Sequence, residues 1–293
     1  LSFGIGGSAH RWFRSYLTDR SQFVRRGLLK SAVSRLLCGV PQGSVLGPIL
    51  FILWTADFLS LVEDGGLLPH LYVDDTQVYG SCRPSAVAAF SAKVTECVDA
   101  VASWMKSNRL QLNSGKTEVL WCTTNRRQHQ LPTAALKIDG VPVPPVASVR
   151  DLGIYVDADL VMRTHVQRTV SRCFAALRQL RQIRRCVSAD TLQTLVVSLV
   201  LSRLDYGNSV LVGLPAYLVC RLQSVLNASA RLDFNLRRYD SVTDTLARLH
   251  WLRVPQRVEY KIAVLTYKAL NGTGPRYLGP LVRVADLPGR QAL

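Results

Sequence analysis

The sequence predicts an α+β domain followed by a mainly α-helical and strongly basic one. Three observations carry this reading. Short apolar runs, separated by turn residues and strand-like in length, recur up to about residue 160 and then stop. Beyond that point apolar residues return at steps of three and four. The charge is also uneven: residues 1–162 hold 16 Lys and Arg against 13 Asp and Glu, whereas 163–293 hold 20 against 7. The expected domains are 1–158 and 159–293.

The first domain starts with GIGGSAHRWFRSYL (4–17), a glycine-rich segment leading into a short helix. Trp12, Phe13, Tyr16 and Leu17 fall on one side of it. No GxxxxGK[ST] follows, so the glycines are read as a helix-leading loop and not a phosphate cradle. FVRRGLLKSAVSRLLCGV (23–40) reads as strands with a turn near Lys30–Ser31. In GVPQGSVLGPILFILWTADFL (39–59) a tight loop precedes an apolar helix, with Ser44 as the expected N-cap. LYVDDTQVYG (71–80) is a hairpin with two acids at its turn. Residues 84–108 form the clearest helix, with Val87, Phe90, Val94, Val98, Val101 and Met105 along one stripe. LQLNSGKTEVLWC (110–122) reads as a loop and a strand. KIDGVPV (137–143) carries an Asp-Gly hairpin signal, and DLGIYV (151–156) reads as a further strand.

The second domain opens on HVQRTVSRCFAALRQLRQIRR (165–185). Val166, Val170, Phe174, Leu177 and Leu180 line one face, and arginines cover much of the rest. Two or three further helices are expected through residue 278.

Bulk properties narrow the function. A 293-residue chain with 48% hydrophobic and 19% charged residues can bury a core and is not a disordered chain. A net charge of +16 points to a polyanionic partner, foremost nucleic acid; a solvated basic surface is the plainer alternative. Seven scattered cysteines without CxxC or matching histidines exclude a zinc-finger or disulfide-framework reading. Reduced thiols imply a cytoplasmic or nuclear setting. The longest uncharged run, from Leu36 to Ala56, is broken by PQG and GP and is too short for a bilayer, so no membrane partner is expected. The chain begins on Leu without a leader and reads as part of something longer.

Asp74 and Asp75 raise a chemical question. Adjacent carboxylates repel, and apolar strands should place them near low-dielectric surroundings. A hard divalent cation such as Mg²⁺ would offset the repulsion, because it prefers oxygen ligands and is commonly held by one or two carboxylates plus substrate phosphates. The hairpin alone reads more readily as a solvent-facing β-turn, where Asp is common.

The order of segments decides between these readings. GVPQGSVLGPILF, YVDD, LQLNSGKTE and DLGIYV follow one another as do motifs B, C, D and E of reverse transcriptases. The chain resembles the non-LTR, LINE-type and Jockey-like members of that family. Downstream, LSRLDYGNSV (201–210) and LARLHWLRVPQRVEYKIAVLTYKALNGTGPRYL (246–278) resemble the C-terminal stretch of those elements. The resemblance implies a partial right-hand polymerase palm, an antiparallel sheet with helices, followed by a helical thumb and connection. It implies RNA-directed DNA synthesis with RNA template, DNA primer and dNTPs as partners and Mg²⁺, or Mn²⁺ in its place, as cofactor. Asp74 would be a metal ligand and Asp75 the second acid of the pair. Gln42, Gly43, Ser44 and Tyr72 would line the nucleotide and template pocket. Lys116 would sit near the triphosphate, and Leu152 and Gly153 at the primer grip. Arg168, Arg172, Arg178, Arg181 and Arg185 would hold the nucleic-acid backbone. Trp251 and Tyr267 read as core or, alternatively, as base-stacking.

The family's motif A, which supplies a further catalytic Asp, has no counterpart in the sequence. Asp57 and Asp64 do not stand in a matching context. The expectation is therefore a polymerase fragment with little activity alone, or a relic that binds nucleic acid without chemistry.

Overall fold

The computed structural model describes residues 4–37, 39–40, 43–279, 281–282 and 284–286. It divides into two compact units, one of residues 1–117 and 134–143 and one of 118–133 and 144–293.

The first unit begins with α1 (Gly7–Leu17), which buries no side chain. Two short antiparallel pairs follow: β1 (Ser21–Gln22) with β4 (Ser34–Arg35), and β2 (Arg25–Arg26) with β3 (Leu29–Lys30). The chain reverses at Gly27–Leu28 and not at Lys30–Ser31 as expected. Gly27, with a φ of +62°, supplies the left-handed residue this reversal uses.

Helix α2 (Gly47–Trp54) starts with Pro48 in its first turn. Ser44 does not occupy the N-cap position, which is Leu46. Its hydroxyl instead accepts the Gly47 N–H at 3.1 Å, satisfying a donor the helix leaves open. Helix α3 (Ala56–Asp64) leads into β5 (Leu68–Tyr72) and β6 (Asp75–Tyr79). The long helix α4 (Val87–Ser107) presents Phe90, Val94, Val101 and Met105 of its predicted stripe to a core of Phe58, Val62, Leu67, Cys97 and Val101, with Leu71 and Val78 of the hairpin packed against it; Val87 and Val98 stand outside that core and Cys97 is buried in it instead. β7 (Leu136–Ile138) and β8 (Val141–Val143) pair through Asp139–Gly140, both at positive φ, as the Asp-Gly signal requires. Lys106 at the end of α4 pairs with Asp139 at 2.7 Å.

The strand expected within 110–122 is absent from the described residues. Val119 makes only a single bridge to Pro145. A proline there cannot donate to a ladder, so the pairing does not extend.

The second unit contains β9 (Ser148–Asp151) and β10 (Ile154–Asp157), an antiparallel hairpin. The sequence reading made 151–156 one strand and grouped it with residues 1–158; the chain instead turns at Leu152–Gly153, with φ values of +43° and +90°, and β10 packs on the helix that follows it. Positive φ at both central residues is the turn that matches strand twist. Buried Asp157 accepts the Thr164 N–H at 3.0 Å, which closes the first turn of α5 (Arg163–Ile183).

Five α-helical segments follow among the described residues, more than the two or three expected: α6 (Ala189–Val196), α7 (Ser202–Asp205), α8 (Ala216–Phe234), α9 (Thr243–Arg248) and α10 (Val254–Leu270). A π-helical stretch, Val197–Leu201, joins α6 to α7. The core is built on α5 against α8. Val166, Val170, Cys173, Leu177 and Leu180 meet Leu218, Leu222, Val225, Leu226 and Ala230 at helical spacing. Trp251 belongs to this core, whereas Tyr267 is exposed. No helix among the described residues is long and apolar enough to cross a membrane.

Candidate active site and nucleic-acid interface

The hairpin β5–β6 fixes the two acids. Leu68 pairs with Tyr79 and Tyr72 with Asp75, leaving Val73 and Asp74 as a two-residue turn. Alternation then sorts the faces. Leu71 and Val78 lean on the core of the first unit, while Tyr72 and Asp75 stand opposite each other in the exposed register. Val73 has a φ of +57°, and Asp74 has none in that region. This is the φ pattern of a type II′ turn, whose first central position is normally glycine. A β-branched residue there is a conformational outlier at the tip that carries the acids.

Asp74 and Asp75 are both exposed, and neither side chain has a hydrogen-bond or ion-pair partner among the described residues. The low-dielectric setting expected for them is not found. A half-buried hairpin ends in solvent, where water and salt screen the repulsion of the pair. Their donor set is oxygen alone, which fits a hard divalent cation. Among the described residues no group of three or more His, Cys, Asp or Glu is placed to hold a metal ion. Asp57 and Asp64 are exposed on α3.

Gln42 lies outside the described residues. Gly43 is exposed at a φ of +78°, and Ser44 is half-buried beneath the start of α2. Lys116 is exposed on a turn whose backbone closes onto the Asn113 carbonyl at 3.0 Å, and it forms no ion pair among the described residues.

In the second unit Leu152 and Gly153 form the turn of β9–β10. Arg168, Arg172, Arg178 and Arg181 are exposed on α5, with Arg185 just beyond its end, while the apolar stripe of the same helix is buried. Arg168 lies over the Tyr155 ring at 4.6 Å, which holds its guanidinium beside the hairpin.

Sequence reasoning overlooked two groups here. His165 is buried behind β10, where Nδ1 accepts the Tyr155 N–H at 3.5 Å. Burial pushes its imidazole pKa down, Asp157 opposes that, and Arg172 adds to it. Tyr206 donates its hydroxyl to the Leu152 carbonyl. The quoted LSRLDYGNSV contained it, but no local pattern reveals a contact across 54 residues.

The class of protein now stands on more than motif order. The reverse transcriptase (RNA-dependent DNA polymerase) family matches residues 2–155, and the chain belongs to that family. Among curated relatives, the probable RNA-directed DNA polymerase from transposon BS of Drosophila melanogaster is 31% identical over 185 residues, covering 61% of this chain and 20% of the relative. The RNA-directed DNA polymerase from mobile element jockey of the same fly is 27% identical over 158 residues, covering 52% of this chain and 17% of the relative. The probable RNA-directed DNA polymerase from transposon X-element is 31% identical over 157 residues, covering 52% and 16%. The chain thus spans about a fifth or less of the length of these relatives. No solved structure matches it.

Proposed function

We propose that this chain forms part of the RNA-directed DNA polymerase of a non-LTR, LINE-type retrotransposon. In this reading the first unit supplies palm elements and the arginine-bearing helical unit supplies the thumb. The observation that carries it is the exposed, unpartnered Asp74–Asp75 pair at the tip of the β5–β6 hairpin, within the stretch the family matches. Asp74 and Asp75 hold Mg²⁺ or Mn²⁺, which when bound supplies charge stabilisation for nucleotidyl transfer to a primer 3′-OH. Gln42, Gly43, Ser44 and Tyr72 bound the space for the incoming nucleotide and its template base. Lys116 offers a cation, or a proton at Nζ, to the departing pyrophosphate. Leu152 and Gly153 hold the primer end. Arg168, Arg172, Arg178, Arg181 and Arg185 contact phosphates without reading sequence.

Two carboxylates hold a cation weakly, and two-metal transfer requires further oxygen ligands. Residues 1–293 alone are therefore expected to bind an RNA–DNA hybrid and to extend it little or not at all. The arginines exposed along α5, opposite its buried apolar stripe, favour as the second reading a module that binds hybrid without chemistry.

The test is primer extension on an RNA template in Mg²⁺ and then Mn²⁺, with Mn²⁺ binding followed by electron paramagnetic resonance. Asp74→Ala is expected to abolish Mn²⁺ binding and spare hybrid binding. Mn²⁺ binding that survives Asp74→Ala would remove the metal role. Extension lost in Asp74→Ala would support the polymerase reading and overturn the expected inactivity.

A further inference from the structure

The segment LSRLDYGNSV has no role in the chemistry above, yet Tyr206 and Gly207 approach the hairpin whose turn is assigned to the primer end, while Asp205 and Asn208 face α10. All the groups involved lie within the second unit. Tyr206 Oη donates to the Leu152 carbonyl at 2.5 Å. A two-residue turn leaves that carbonyl outside the β9–β10 ladder, which runs only through Asp151 and Ile154 at its closing pair. The Tyr206 ring also covers Gly153: a Cβ added there would lie 3.2 Å from Cε1. Gly207 approaches so closely that its own Cβ would meet Ile154 Cδ1 at 2.4 Å. On the other side Asp205 pairs with Arg257 of α10 at 2.6 Å. Asn208, 4% exposed, begins the short turn on which α10 packs.

Tyr206 is 56% exposed, so core burial does not account for an aromatic residue here. Its directed contacts are to the turn. We infer that Tyr206 is a positioning residue: it fixes the Leu152–Gly153 turn, and the Asp205–Arg257 pair anchors it to α10. The inference rests on the proposed role of Leu152 and Gly153 at the primer end. Tyr206→Phe separates the parts, because it keeps the ring over Gly153 and removes only the hydroxyl.

The experiment measures binding of residues 1–293 to two fluorescent RNA–DNA hybrids of equal length, one with a recessed primer 3′ end and one blunt. The wild-type chain is expected to prefer the recessed end. Tyr206→Phe is expected to lose up to about five-fold of that preference, the limit set by the one hydrogen bond removed, with blunt-hybrid affinity unchanged and the urea midpoint lowered by no more than that bond is worth. Arg178→Ala, as a contrast, weakens both hybrids together. An unchanged preference in Tyr206→Phe overturns the inference. Equal weakening on both hybrids with a lowered urea midpoint assigns Tyr206 a merely structural role and also overturns it. A wild-type chain without end preference removes the primer-end role of Leu152 and Gly153 itself, and the inference with it.

Discussion

Gly207→Ala tests how closely the 205–208 segment seats on the β9–β10 hairpin. Two separate costs arise at one methyl group. Gly207 has a φ of +62°, and an L-residue in the left-handed region costs about 1–2 kcal/mol. The new Cβ would also stand 2.4 Å from Ile154 Cδ1 and 3.2 Å from Cγ1. Relieving that overlap forces the isoleucine off its rotamer or the segment off the hairpin, for about 1–3 kcal/mol. The sum is a loss of roughly 2–5 kcal/mol. Ile154→Val removes Cδ1 and costs about 0.5–1.5 kcal/mol alone, near the lower end because Ile154 is only partly buried. In the double variant the Cδ1 overlap disappears, while the backbone part and the 3.2 Å approach of the remaining γ carbon persist. The double variant should therefore be less destabilised than the two single losses added together, by about 1 kcal/mol or more. Urea denaturation followed by far-ultraviolet circular dichroism and Trp fluorescence reads this, with coincidence of the two probes as the check on a single transition. Strict additivity would refute the contact with Ile154. A neutral Gly207→Ala would refute the backbone argument as well.

Other expectations follow from the same structure. Leu222 is 2% exposed at the centre of the α5–α8 packing, so Leu222→Ala should cost about 3–5 kcal/mol in urea unfolding; a loss below 1 kcal/mol would mean that packing is not the core. His165 binds its proton less tightly folded than unfolded, so the unfolded chain takes up more protons below its ordinary value of 6.5. Stability should be full above that pH and fall on acidification, by at most about 1.4 kcal/mol per pH unit from this group. His165→Gln should flatten that limb of the pH profile, and an unaltered limb would assign it to other groups. Arg178→Ala and Arg181→Ala should each reduce the slope of log affinity against log salt for duplex by roughly one unit, uniformly across sequences. A sequence-dependent loss would instead indicate base contacts.

The sequence alone determined the elements whose signals are local. The helical period of α4 and α5 and the strands of the YVDD hairpin are set by side-chain spacing, and the Asp-Gly turn of β7–β8 by residues that tolerate positive φ. Motif order was also legible, and it named the family before any geometry. Asp74 and Asp75 could be singled out because adjacent carboxylates at a turn are chemically conspicuous. Their exposure could not, since it depends on how deeply the hairpin sinks into the core of the first unit. The tertiary structure decided the rest. DLGIYV reads as one strand until Leu152 and Gly153 take positive φ, and the strand of 110–122 dissolves because its neighbour offers Pro145 in place of a donor. Burial of His165, the anchoring of Asp205 by Arg257, and the hydroxyl of Tyr206 on Leu152 join residues 10 to 54 positions apart. Such contacts arise from packing, whose energy depends on surfaces brought together only by the folded chain.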